Sequence, residues 1–252
     1  LIEIRNINKS YGAVKVLDDI STTIPAHQVT SIIGPNGAGK STLLSIVGRL
    51  QDADSGTVVV GGLPVHTTPS RELAKRLSVL RQENFLSVRL TVRELVAFGR
   101  FPYSGGRLTP EDEVHINSAI EYLELTNLSH RYLDQLSGGQ RQRAYIAMVL
   151  CQDTDYVLLD EPLNNLDMRH SASMMRLFKQ LTNELGKTVV LVVHDINFAS
   201  FHSQNIIAMK DGRIISEGTP NQIICSKSLA EVFDMHIDVH EIDGKLVGVY
   251  FD

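Results

Sequence analysis

Val29-Thr30-Ser31-Ile32-Ile33 runs directly into Gly34-Pro35-Asn36-Gly37-Ala38-Gly39-Lys40-Ser41, and that junction decides how the chain must fold. A short apolar run bounded by a turn reads as a buried strand. The turn matches G-x-x-x-x-G-K-S/T, the phosphate-loop pattern. Its glycines let the backbone curl so that successive N–H groups point at phosphate oxygens. Lys40 is placed to reach the β- and γ-phosphates and Ser41 to ligate Mg²⁺. A helical stretch around Leu43, Leu44 and Val47 follows, so a helix N-terminus faces the same anion. A Gly-rich turn with no ligand is the plainer reading, and the complete match between strand and helix argues against it.

Downstream, Tyr156-Val157-Leu158-Leu159-Asp160-Glu161 is an apolar strand ending in two acids. Carboxylates at the end of a buried strand need a partner or a task. Asp160 suits Mg²⁺ through its water shell, and Glu161 suits a general base for an attacking water. Many strands end in acids, so this motif gains weight only beside the phosphate loop.

Leu136-Ser137-Gly138-Gly139-Gln140 reads first as a helix start. Ser137 caps and Gln140 stands three residues on, as in a capping box, and Ala144, Ile146, Ala147, Val149 and Leu150 continue the helix. A helix N-terminus with two glycines and a hydroxyl is also an anion site.

With this pentapeptide the chain resembles the ATP-binding cassette (ABC) family, whose signature LSGGQ it carries without substitution. The resemblance extends from Ile2 to the C-terminal strands. It implies an α/β fold with a P-loop NTPase core, a mostly parallel sheet, an antiparallel β subdomain and an inserted α-helical subdomain. It further implies ATP held with Mg²⁺ between two copies of the chain packed head to tail. Asn36, Gly37, Ala38, Gly39, Lys40, Ser41 and Thr42 then hold the phosphates. Tyr11 stacks on adenine and Val16 lines the same base. Ser137, Gly138, Gly139 and Gln140 reach the nucleotide of the opposite copy, and Asp167 lies in the loop crossing the interface. Ser41, Gln82 and Asp160 attend the metal; Glu161, His194, Gln82 and Lys40 carry the catalysis. Gln82 also senses a membrane subunit, through residues around Glu83 to Phe85. Taken singly, Tyr11 is a surface turn residue, Gln82 means nothing, and His194 is a satisfied structural histidine.

Where the family commonly continues Glu-Pro with Thr-Ser-Ala-Leu-Asp, this chain has Leu163-Asn164-Asn165-Leu166-Asp167. With Phe98-Gly99-Arg100-Phe101-Pro102 and Asp195-Ile196-Asn197-Phe198-Ala199, it looks like the ATPases of ferric-siderophore importers. Importers of haem, cobalamin or another substrate are the alternative within the family. A non-transport cassette ATPase acting on DNA or ribosomes is a rival class, marked by coiled-coil insertions or fused cassettes that this chain does not show. The signature argues against an ordinary P-loop kinase. The implied partners are a second copy, integral membrane permease subunits and, indirectly, a substrate-binding protein. The implied location is peripheral, on the cytoplasmic face of the membrane.

Bulk properties agree. With 252 residues, 43% of them hydrophobic, the chain can bury a large core. A formal charge of −5 without a basic run excludes a nucleic-acid footprint. Cys151 and Cys225 stand far apart, in no disulfide or metal spacing. The opening LIEIRNIN alternates like a strand and not like a secretory signal, and the longest apolar stretch, near Val189 to Val193, is too short to span a bilayer. We expect one cassette of 252 residues, with 1–83 and 154–252 forming the core and β subdomain and 84–153 a helical insertion. Gly61-Gly62 and Asp243-Gly244 read as hairpin turns. His236, Asp238 and His240 alternate on one strand face, which we read as an exposed edge before a metal site.

Overall fold

A computed structural model describes residues 1–82, 88–164 and 166–250. The N-terminal part contains strands β1 (Ile2–Tyr11), β2 (Val14–Ile24) and β3 (Val29–Ile33), helix α1 (Lys40–Val47), strands β4 (Ser55–Val60) and β5 (Leu63–Pro64), helix α2 (Ser70–Leu73) and strand β6 (Leu77–Leu80). Helices α3 (Val92–Phe98), α4 (Phe101–Ser104), α5 (Pro110–Tyr122) and α6 (Gly138–Cys151) follow. Strand β7 (Tyr156–Asp160), helix α7 (Met168–Leu185), strand β8 (Thr188–Val192), helix α8 (Ile196–His202) and strands β9 (Asn205–Lys210) and β10 (Arg213–Gly218) return to alternation. Helices α9 (Pro220–Ile223) and α10 (Ser226–Phe233) and the hairpin β11 (Asp238–Ile242) and β12 (Lys245–Val249) complete the described part.

The described strands form three sheets. The large one runs β10-β9-β3-β8-β7-β6, parallel except for β10, which pairs antiparallel with β9. The second is antiparallel, ordered β2-β1-β4-β5. Gly61 and Gly62 form the β4–β5 turn with φ values of 55° and 82°, and the β11–β12 hairpin turns at Asp243-Gly244.

Alternation along the parallel strands divides the core between two faces. Val157 and Leu159, Val189 and Leu191, and Ile206 and Ala208 join one cluster with α3, α5, α6, α7, α8 and α10. Leu158, Val190, Val192, Ile207 and Met209 point the other way, into a cluster with Leu43, Leu44, Ile46 and Val47 of α1 and Ile2, Ile4, Ile7, Leu17, Ile20, Val58 and Val60 of the antiparallel sheet. Both faces of the parallel sheet are thus covered, as such sheets require. Helix α1 sits between the two sheets.

The helix start read at Ser137 is formed as expected. Thr91, Thr109 and Ser137 cap α3, α5 and α6, each in a reciprocal capping box, with Pro110 leading three acids into α5. Arg100 and Asp112 form a buried ion pair within the helical layer, Nε to Oδ1 at 2.9 Å. Arg100 also donates to the Cys151 carbonyl at the end of α6 and stacks 4.0 Å from the Tyr103 ring. Among the described residues, no helix is long and apolar enough to cross a membrane.

Candidate functional site

In a parallel sheet all carboxyl ends lie at one edge, where such folds bind ligands. The register sets Leu80 of β6 against Leu159 of β7, Asp160 against Val192 of β8, and Ile32 of β3 against Val192. The residues just past these ends are Gln82, Glu161, His194 and the loop 34–39. Four separate sequence motifs therefore converge because four strands stop together.

The loop geometry needs its glycines. Gly34 has φ 143°, and a Cβ there would lie 2.0 Å from the Met209 carbonyl oxygen of β9. Gly39 has φ 93°, and a Cβ there would meet the Val16 carbonyl oxygen and Leu17 Cδ2 at 2.7 Å. Gly39 is the N-cap of α1, and no side chain caps that helix. A cavity of about 380 Å³ opens over this end, lined by Val16, the loop residues Asn36 to Thr42, Gln82, Glu161 and His194. The Lys40 ammonium is buried there and donates to the Gly34 and Pro35 carbonyls, each at 2.8 Å. Burial holds it below its ordinary value, and the charges of Glu161 and Asp160 pull partly back. Ser41 Oγ donates to Asp160 Oδ1 at 2.8 Å. Burial pushes the Asp160 carboxyl up, the Ser41 bond draws it down, and the adjacent Glu161 charge raises it again.

Glu161 is the most heavily tied group of the site. Its backbone takes the left-handed φ of 49°. Its Oε1 meets His194 Nε2 at 2.7 Å. Its Oε2 accepts from Gln82 Nε2 at 2.6 Å and from Asn164 Nδ2 at 2.5 Å.

Other candidates lie elsewhere. Tyr11 is exposed, and its hydroxyl donates to Gln51 Oε1 at 2.7 Å; of the two expected base contacts, only Val16 lines the cavity. Ser137, Gly138, Gly139 and Gln140 form the start of α6 and do not line the cavity of their own chain. Asp167 caps α7, accepting from the His170 amide at 2.8 Å. Asn165 and the expected coupling residues Glu83 to Phe85 lie outside the described residues. His236 precedes β11 and bonds Asp238 at 3.0 Å; His236, Asp238 and His240 are all exposed.

The family model described as "ABC transporter" matches residues 17–164, more than half of the chain. This chain belongs to the ABC transporter family. Its relatives within that family include the petrobactin import ATP-binding protein YclP of Bacillus subtilis, 56% identical over all of both chains. The ferric enterobactin transport ATP-binding protein FepC of Escherichia coli is 38% identical over 94% of this chain and 88% of its own. Among solved structures, the post-hydrolysis dimer of the ATP-binding cassette MJ0796 bound to ADP and Pi superposes with a TM-score of 0.79 at 32% identity, over 87% of this chain and 99% of that one. The fold of this ABC transporter family member is therefore the P-loop NTPase fold of ABC cassettes.

Sequence reasoning did not assign Asn164 to the site of this ABC transporter family member. It appeared only as a departure from the family's usual residues. The signal that could have found it is its place three residues after Glu161, where a turn of the i to i+3 kind brings side chains back onto one another.

Proposed function

We propose that this chain is the ATP-binding and ATP-hydrolysing subunit of an importer for ferric siderophores, working as a head-to-tail pair docked on membrane permease subunits. The observation that carries this reading is a divided site. The loop 36–42 and Glu161 line one cavity, while the anion-type helix start at Ser137–Gln140 stands outside it. A second copy is the natural source of the missing wall. The iron-chelate substrate is supported by the relatives, a petrobactin import ATP-binding protein and a ferric enterobactin transport ATP-binding protein. Location on the cytoplasmic face, indirect service to a substrate-binding protein and treatment of 84–153 as an inserted subdomain belong to the same proposal.

The residues present fit a magnesium nucleotide. A backbone cradle with no room for a Cβ at Gly34 or Gly39, a helix start without a side-chain cap and a buried ammonium suit a polyphosphate. The Ser41 hydroxyl, the Asp160 carboxylate and the Gln82 amide oxygen are hard oxygen donors of the kind Mg²⁺ takes. The bound metal would neutralise charge on the phosphates.

In this reading Lys40 exchanges the Gly34 and Pro35 carbonyls for phosphate oxygens. Glu161 orients the attacking water and takes its proton, and His194 donates toward the terminal phosphate. Ser137 to Gly139 of the partner copy supply N–H and hydroxyl donors to developing charge. Tyr11, at the exposed end of β1, offers the ring on which the base stacks.

Glu161→Gln tests the proposal. The amide keeps the side chain's size and removes the base, so turnover should fall about 10²- to 10⁴-fold while nucleotide still binds. Phosphate release is measured beside size-exclusion chromatography in ATP and Mg²⁺, where an accumulated dimer is expected. Near-wild-type turnover without a dimer would remove Glu161 from this role.

A further inference from the structure

We infer that Asn164 is a positioning residue that fixes the rotation of the Glu161 carboxylate for water activation. This inference rests on the reading of Glu161 as the base. Glu161-Pro162-Leu163-Asn164 is a tight turn in which the Asn164 amide nitrogen donates to the Glu161 carbonyl at 3.2 Å. The turn folds the Asn164 side chain back onto the carboxylate that opens it. A flanking bond anchors the turn: Gln142 Nε2 of α6 donates to the Pro162 carbonyl at 2.9 Å. Leu163 and Leu166 pack against the main core cluster on either side of Asn164.

A carboxylate has two oxygens with about two lone pairs each. Oε2 is filled by Gln82 and Asn164. Oε1 carries His194 alone among the described residues, which leaves one acceptor position on that oxygen of a group lining the cavity. Gln82 on Oε2 and His194 on Oε1 would by themselves leave one acceptor position open on each oxygen. Asn164 fills the open position on Oε2 and adds a third tether to the carboxylate. Asn164 therefore decides which oxygen meets the water. Asparagine is suited to this, since its amide donates without adding a charge beside Glu161.

The test compares Asn164→Leu, which keeps the volume and lacks the donor, with Asn164→Ala and Asn164→Ser. Leu and Ala should each lower kcat about 10-fold, equivalent to about 1.4 kcal/mol. The KM for ATP, the affinity for a fluorescent ATP analogue and the melting temperature should stay at wild-type values. Ser keeps a shorter donor and should recover part of the loss. In a Glu161→Gln background, Asn164→Leu should cost nothing further, because the group it positions no longer acts. Wild-type kcat in Asn164→Leu, or a further 10-fold loss in the double variant, would overturn the inference. So would a loss traced to weaker nucleotide binding or lower melting temperature in both Leu and Ala variants. If Glu161→Gln itself turned over normally, the reading of the base would fall, and this inference with it. If Glu161→Gln is inactive and Asn164→Leu is normal, only this inference falls.

Discussion

Replacing Asp112 by alanine would leave the Arg100 guanidinium without a counter-charge in the middle of the helical layer. Both side chains are 4% exposed, so neither can recover its hydration in place. Breaking such a pair from one side typically costs about 3–5 kcal/mol, mostly from the stranded charge. The stack on Tyr103 and the bond to the Cys151 carbonyl remain and favour the lower end. Asp112 also closes the Thr109 capping box, which adds about 1 kcal/mol. An unfolding entropy of about 2.1 cal/mol/K per residue over 252 residues converts the combined loss of about 4–6 kcal/mol into a drop in melting temperature of about 8–11 °C. Calorimetry at neutral pH measures this directly. The pH dependence has a fixed sign. The Arg100 bond and the Thr109 amide hold the Asp112 carboxyl below the usual range in the folded chain. Its contribution is therefore complete above the unfolded value of about 4 and is lost as pH falls through the lower folded value. The gap between wild type and variant should narrow in strong acid. The double change Arg100→Met with Asp112→Leu removes both charges and should recover all but the cap's share. A loss under about 1 kcal/mol in Asp112→Ala, or a gap that widens in acid, would refute the account.

Gly34→Ala should abolish nucleotide binding or folding of the loop, since its methyl would lie 2.0 Å from the Met209 carbonyl oxygen; a fluorescent ATP analogue binding normally to a folded Gly34→Ala would contradict the cradle. Ser137→Arg should leave analogue binding within about 2-fold of wild type yet reduce phosphate release at least about 100-fold, because the damage falls on the partner's nucleotide. Equal loss of binding and turnover would mean that Ser137 serves its own cavity.

Much of this architecture was legible because each decisive stretch carried two signals that agreed. Val29–Ile33 was apolar and also ended in a Gly-rich turn; Ser137 could cap and was followed three residues on by Gln140. Helix starts, buried strands and both Gly-containing hairpins depend on local chemistry, which a sequence displays. The order of the strands is not local, and nothing in the residues of β3 announces that β8 and β9 flank it. Within the site, Asp160 and Glu161 were readable as the end of a buried strand, while His194 entered only through the family resemblance. Asn164 was not readable, because its role depends on the positive φ of Glu161, a conformation that glutamate gives no sign of adopting. The Arg100–Asp112 pair escaped for a related reason. Asp112 completes the capping box of its own helix, and no sequence pattern shows that an arginine twelve positions earlier is buried against it.

The contact between Val16 and Gly39 has a consequence for which ligands the cavity can accept. Val16 comes from β2 of the antiparallel sheet, and its carbonyl oxygen rests against the turn that leads into α1. Gly212, at the β9–β10 turn, donates to the Ala38 carbonyl at 3.3 Å and accepts from the Asp18 amide at 2.8 Å. Three distant stretches of chain are thereby tied together, and they bring Val16 and Lys40 into the lining of one cavity. The separation between those two residues is set by these backbone contacts. With the base on Val16 and the phosphates on Lys40, as proposed above, the cavity would act as a caliper that gauges a molecule from its flat end to its charged end.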